Sequence, residues 1–261
     1  MNTSSEAPIT TESRGHLFLI GLNRPEKRNA ANLEMLRLLA LAYGELDRNP
    51  DLRVGVVFAH GDHFSAGLDL VDVGPALAAA GSLPIPVKGL DPWGISTEQV
   101  TKPVVMAVSG ICYTLGVELA LASDIVVADS TATFGQLEVS RGIMPFGGAT
   151  TRLPRSAGWS QAMRWLLTGE TFGVEQAVES GIVTEVAPLA LERAIELAEL
   201  IAAQAPLAVQ ATLASARAGR VDMPTEHKKL HERLGKLMTT RDVQRGLEAF
   251  MTKQPARFEG D

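Results

Sequence analysis

Cysteine is nearly missing from this 261-residue chain, with Cys112 as its only representative. A single thiol cannot form an intrachain disulfide, and a reducing compartment fits that usage best. Long apolar runs are missing as well. The longest candidate, around residues 115–128, is broken by Glu118, Ser123 and Asp124, whereas a membrane-spanning helix needs ~18 or more consecutive apolar residues. The opening residues, MNTSSEAPITTES, have neither the basic nor the apolar region of a secretion signal. These absences lead to the expectation of a cytoplasmic protein with no membrane partner. Net positive charge is lacking too. A formal charge of −6 argues against nucleic acid as the main partner.

Several catalytic signatures do not occur. There is no G-x-S-x-G elbow for a hydrolase serine. No G-x-G-x-x-G follows a strand and no G-x-x-x-x-G-K-[ST] is found, which removes the usual dinucleotide and nucleoside triphosphate cradles. His227 and His231 are four apart, but Lys228 stands where a zinc protease has Glu. That pair reads as a solvated helix face, so no metal is expected. Cys112 itself falls in a strand-to-helix turn and reads as a small packed residue. Internal repeats and low-complexity tracts are absent.

What is present is an ordinary globular composition, 46% apolar and 21% charged, long enough to bury a sizeable core. Residues 1–13 read as a flexible leader. His16–Leu22 and Arg53–Ala59 read as strands, separated by a helix that Asn32 caps and that runs to about Asp47 with Leu33, Leu36, Leu39 and Ala40 on one face. A short helix is expected near Asp69, interrupted at Gly74-Pro75, followed by a loop rich in Gly and Pro over 81–94 and a helical turn over Ile95–Thr101. Val104–Val108 and Ile125–Ala128 are further apolar strands. This alternation implies crossover units and a parallel sheet covered on both faces. Beyond Gly148 the pattern turns helical, over roughly 148–153, 159–168, 189–204, 206–218, 226–238 and 242–252, with one short strand at Val183–Val186. The expected organisation is an α/β core over 14–190 and a helical region over 191–261. Residues 223–257 carry eight Lys/Arg against four acids, a local excess suited to meeting an anion.

The chemistry concentrates in one stretch, SGICYTLGVELALASDIVVADSTATFGQLE, residues 109–138. Glu118 sits early in a helix among apolar neighbours and Glu138 follows twenty positions later. An ionisable group in such surroundings is costly unless something requires it. Two glycine turns, GDHFSAGLDL and SGICYTLGVE, each leave a buried strand and enter a helix N-terminus, where backbone N–H groups are unpaired. Two such ends brought together would make an oxyanion hole. The residues alone leave other readings open: each turn could be an ordinary strand-to-helix connection, Glu118 could bond first-turn amides, and Glu138 could be a surface acid.

Four segments bring these residues under one pattern. RPEKRNA at 24–30, HFSAGLDL at 63–70, MPFGGATTRLPR at 144–155 and GLEAFMTKQPARFEG at 246–260 resemble, in order and spacing, segments of the crotonase superfamily, the enoyl-CoA hydratases and isomerases. The resemblance covers nearly the whole chain. It implies a β-β-α spiral core whose trailing helices pack trimers, often paired as hexamers, and an acyl-CoA thioester as substrate, with coenzyme A belonging to the substrate and no separate cofactor. It implies an oxyanion hole from the backbone N–H groups of Leu68 and Leu115, and two catalytic acids at Glu118 and Glu138. Hydration of a trans-2-enoyl thioester follows from that set, with double-bond isomerisation or acyl-CoA binding without turnover as alternatives. Arg24, Lys27 and Arg28 form a basic cluster suited to the phosphates, Ala66, Gly67 and Asp69 of the first turn would contact the substrate, and Phe250 and Lys253 would reach coenzyme A, often that of a neighbouring subunit.

This chain departs from the pattern where most hydratases have a glycine triplet. Here the triplet is Thr114-Leu115-Gly116, and Phe146 replaces a small residue in the later turn. Both changes are expected to add bulk near the site. Leu115 is further expected to exclude the positive φ that glycine accepts.

Overall fold

The structure is a computed structural model that describes residues 7–261. Its larger sheet has six strands. Strand β1 (Ile9–Arg14) pairs antiparallel with β2 (Leu17–Leu22), and β2 is followed in parallel by β3 (Val54–Ala59), β4 (Val104–Val108), β6 (Ile125–Ala128) and β9 (Glu185–Val186). A second sheet of three short strands joins β5 (Ile111–Tyr113), β7 (Thr133–Gly135) and β8 (Thr171–Gly173). The chain therefore winds as a spiral. Strand β4 of the large sheet turns through Ser109-Gly110 into β5 of the small one, and β6 passes into β7 in the same way. The first such turn is vestigial: β3 is followed by a single bridge from Ser65 to Cys112 beside β5.

The large sheet is buried on both faces, as its continuously apolar strands require. One face of β2, β3 and β4, with Leu19, Val56 and Val105, packs on helix α7 (Ala190–Ala202). That helix offers Ala190, Ala194, Ala198 and Ala202 at four-residue spacing, a single stripe with small side chains. The other face, with Ile20, Val57 and Met106, meets helix α1 (Leu33–Arg48) and the helices of the spiral. Asn32 caps α1 by accepting from the Met35 N–H at 2.9 Å. Its buried side is set by Met35, Leu39, Ala40, Tyr43 and Leu46, while Leu33 is exposed.

Several expectations are corrected. Residues 9–13 are not a leader but part of β1, whose polar outward face hid its strand character; residues 1–6 lie outside the described residues. Helix α2 (Leu70–Ala80) runs through Pro75 instead of stopping there. The proline is exposed, and Val71, whose carbonyl loses its helical donor, is open to solvent as well. Residues 95–101 form bends pinned by side chains, not a helical turn. Two short elements had not been expected, the small sheet and helix α6 (Val174–Glu179).

The remaining helices are α3 (Leu115–Ala122), α4 (Ala149–Ala157), α5 (Trp159–Thr168), α8 (Pro206–Gly219), α9 (Met223–Leu237) and α10 (Arg241–Thr252). The C-terminal ones are tied back by a few polar links. Arg217 on α8 bridges to Asp124 at 2.9 Å, and Arg53 at the start of β3 donates to the Ala202 and Phe258 carbonyls. No single helix among the described residues is long and apolar enough to cross a membrane.

Candidate active site

Helix α3 begins at Leu115, and what precedes it is held tightly. The Thr114 N–H donates to the Gly135 carbonyl; the Tyr113 N–H donates to the Ser65 carbonyl and the Ser65 N–H to the Ile111 carbonyl, which lays the first glycine turn alongside β5. Gly67 comes so close to Thr114 that a Cβ there would lie 2.1 Å from Thr114 Oγ1, and its φ is +104°. Only glycine fits that position. The two turns thus meet, as the sequence anticipates. Neither the Leu68 nor the Leu115 N–H has an acceptor among the described residues, and both residues line the same cavity.

Leu115 is not the strained residue. It occupies the first turn of α3 with an ordinary right-handed backbone, 7% exposed, with its side chain on the cavity wall. The positive φ falls one residue earlier, at Thr114, with φ 49° and ψ −111°. A β-branched residue in that region is a genuine outlier. Such strain persists only where the surrounding structure over-determines it.

Glu118 lies one turn into α3 and is 3% exposed. Its Oε1 accepts from the Gly147 N–H at 2.8 Å and from the Ala149 N–H at 3.1 Å, the latter at the start of α4. Burial pushes its pKa up to about 7, against the lowering effect of those N–H groups and of the Arg152 charge. The run MPFGGATTRLPR builds this cradle. A Cβ on Gly147 would lie 2.6 Å from Glu118 Oε2, so the backbone can approach the carboxylate only without a side chain. Arg152 then locks the turn by donating to the Gly147 carbonyl at 3.0 Å and to the Trp93 carbonyl at 2.6 Å.

Glu138 opens the short 3₁₀ helix Glu138–Arg141 and is 6% exposed, so it is no surface acid. Its pKa is also raised to about 7, first by burial and further by the charge of Glu118. The fully buried Gln136 places its side-chain amide 2.9 Å from both carboxylate oxygens of Glu138. Two acids whose pKa values are displaced together by burial in one cleft mark a functional site.

The cavity that joins these groups has a volume of about 330 Å³. Ala66, Leu68, Thr114, Leu115, Glu118 and Glu138 line its inner part. Trp93 and Phe146 border it, and Phe146 adds the bulk expected of it. The segment 91–97 spans the end of the loop expected over 81–94 and the start of the helical turn expected over Ile95–Thr101, and it is organised around a buried carboxylate. Asp91 accepts from the N–H groups of Trp93, Ile95 and Ser96 at 2.7–3.0 Å, and the Trp93 indole N–H donates to the Leu115 carbonyl at 3.1 Å. Asp91-Pro92-Trp93-Gly94 signals a turn but not its partner. Gln136, Asp91 and Arg152 carried no motif that identified their roles: Gln136 and Asp91 act on residues two to five positions away in irregular backbone, where no period marks such contacts, and Arg152 reaches the distant Trp93 carbonyl.

The expected coenzyme A residues are not gathered with the two acids. Arg24 is engaged within the fold, donating to the Ala30 carbonyl at 2.5 Å and pairing with Asp69 at 3.3 Å. Asp69 is accordingly an ion-pair partner and the cap residue of α2. Lys27 and Arg28 lie exposed on the turn after Pro25, with Arg28 left-handed at φ 49°. Phe250, at 83% exposure, and Lys253 stand on the outer end of α10, away from the cavity wall. Cys112 is fully buried and its thiol pKa is pushed up by that burial, in keeping with a packing role.

Known proteins share this architecture. A probable enoyl-CoA hydratase/isomerase from Mycobacterium abscessus superposes with a TM-score of 0.94 at 47% identity, over 97% of this chain and 99% of that one. An enoyl-CoA hydratase from Mycobacterium tuberculosis, EchA19, is 34% identical over 95% of both chains. The 2,3-dehydroadipyl-CoA hydratase of Escherichia coli is also 34% identical, over 98% of this chain and 99% of its own. The family model described as enoyl-CoA hydratase/isomerase matches residues 12–261, and the chain belongs to that family.

Proposed function

We propose that the protein is an enoyl-CoA hydratase, adding water syn across the double bond of a trans-2-enoyl-CoA thioester. The observation that carries this reading is the pair of buried carboxyl groups, both with pKa raised to about 7, on one cavity with two unpaired backbone N–H groups. In this scheme the thioester oxygen rests on the N–H groups of Leu68 and Leu115, which stabilise the negative charge that develops there. Glu118, with two N–H donors supporting its ionised form, deprotonates a water that attacks the β-carbon. Glu138, kept protonated beside that charge, delivers its proton to the α-carbon. The cycle leaves Glu118 protonated and Glu138 ionised, and exchange with solvent restores the pair.

The relatives named as hydratases favour this chemistry over isomerisation, in which a single carboxylate would move a proton between two carbons. Arg24 then serves the site indirectly, by holding Asp69 and the start of α2. Lys27, Arg28, Phe250 and Lys253 are assigned to coenzyme A, with the last two reaching a neighbouring subunit in a homotrimer or hexamer. The test is the loss of conjugated-thioester absorbance with crotonyl-CoA. Glu118→Gln and Glu138→Gln should each lower kcat by at least ~10²-fold. If both variants stay near the parent rate, the assignment fails.

A further inference from the structure

We propose that the acyl group of the substrate carries a carboxylate of its own, and that Arg141 recognises it. The proposal rests on reading the cavity as an enoyl thioester site. Arg141 closes the 3₁₀ helix that Glu138 opens. In such a helix side chains three apart eclipse, and three residues rise by ~6 Å. Arg141 therefore stands on the face of Glu138, one turn further on, and both residues line the cavity.

Among the described residues on that wall Arg141 is the sole cation, and it has no carboxylate partner. Its one polar contact is a long one, from Nη1 to the Oγ of its neighbour Ser140 at 3.4 Å. The other charges on the wall are accounted for. Glu118 is held by Gly147 and Ala149, Glu138 by Gln136, and Asp91 by three backbone N–H groups. Elsewhere around the site arginine is tied down, Arg24 by Asp69 and Arg152 by two carbonyls.

The surroundings of Arg141 on the wall, Leu137, Ile143 and Phe146, are apolar. They suit a hydrocarbon chain, and Arg141, Ile143 and Phe146 are themselves exposed, so the guanidinium is open to an anion at the end of that chain. A planar carboxylate matches the guanidinium fork. The phosphates of coenzyme A are the competing source of negative charge. They lie the whole pantetheine arm away from the carbons that Glu138 faces, whereas Arg141 is a single turn from it. A short dicarboxylic enoyl thioester meets both requirements.

The experiment compares hydration of trans-2-hexenoyl-CoA with that of its counterpart bearing a terminal carboxylate, by the parent protein and by Arg141→Met. Binding of the two saturated thioesters, hexanoyl-CoA and adipoyl-CoA, is measured alongside by calorimetry. The parent should favour the carboxylated thioester by ~10-fold or more in kcat/KM and in affinity. Arg141→Met should lower both for that ligand by ~10–100-fold, the range of a charged hydrogen bond, while the neutral ligand changes little. Equal losses for both ligands would place Arg141 on coenzyme A, and a parent preference for the neutral chain would leave the arginine unexplained; either overturns the proposal. Hydration of hexenoyl-CoA without preference sinks the proposal and spares the hydratase reading. Selective binding of adipoyl-CoA, lost in Arg141→Met and accompanied by no hydration of either thioester, supports the recognition and sinks the hydratase reading.

Discussion

Glu118 holds its proton in the folded protein up to about pH 7, whereas an unfolded chain would release it near its ordinary value of 4.5. The folded state therefore binds more protons than the unfolded one between those two values, and stability falls as pH rises through that window. At 1.36 kcal/mol per pKa unit, the penalty above pH 7 is at most about 3 kcal/mol. Glu118→Gln removes it. Urea unfolding should show the variant gaining on the parent as pH rises from 4.5 to 7, with the difference flat beyond. A constant difference across that range would mean that the carboxyl titrates normally. Because Glu138 shifts in the same direction and feels the charge of Glu118, the two titrate as a pair, and kcat/KM should trace a bell centred near pH 7. Thr114 is the other residue whose cost can be measured. Its backbone, at φ 49° and ψ −111°, suits glycine. Thr114→Gly should raise stability by roughly 1 kcal/mol, the relief of strain less the entropy glycine adds. It leaves the Leu115 N–H in place, so measurable hydration should persist.

At the scale of elements, the site is a junction of short pieces: the end of the first glycine turn, the start of α3, the 3₁₀ helix at Glu138 and the loop around Asp91. Removing the hub of that loop tests its role. Asp91→Ala frees three N–H groups and the anchor of Trp93, so amide exchange across 91–97 should accelerate and KM should rise several-fold, with kcat less affected. Unchanged exchange would mean that Arg152, through the Trp93 carbonyl, suffices to hold the loop. What was legible in the sequence divides along the same line. The long strands of the large sheet were readable because each is a continuous apolar run, and α1 because Asn32 caps a periodic segment. Strand β1 was not, because an edge strand with one solvated face, ITTESR, looks like polar linker. Nor was the small sheet, whose three-residue strands ICY, TFG and TFG are too short to show a period. The two acids were found as apolar-flanked carboxylates. Gln136 and Asp91 were not, since their partners lie two to five positions away in irregular backbone, where no period or motif fixes which side chain meets which group. The strain expected at Leu115 falls on Thr114, because Leu115 is already the first residue of α3 and the positive φ lies on the residue before it.

At the scale of the whole molecule, the C-terminal helices expose more apolar surface than a solitary domain has use for. Leu230, Leu234 and Met238 lie exposed along α9 and just beyond it, and Leu247, Phe250 and Met251 on α10. We propose that these side chains belong to an interaction surface. Self-association as a trimer or hexamer would cover it, and would bring Phe250 and Lys253 to a neighbour's substrate. Sedimentation should then report a multiple of 27.8 kDa at micromolar concentration. Leu234→Glu, which puts a charge into that face, should then shift the protein toward monomer. The spiral core is closed by α7 on one face and by α1 on the other, so the monomer should remain folded. Its activity is the informative quantity. If Phe250 and Lys253 serve a neighbouring site, the monomer should bind coenzyme A thioesters more weakly, seen as a raised KM that concentrating the protein partly reverses. A monomer with unchanged KM would confine the whole site to one chain, and would leave the basic residues of the helical region without a role in binding.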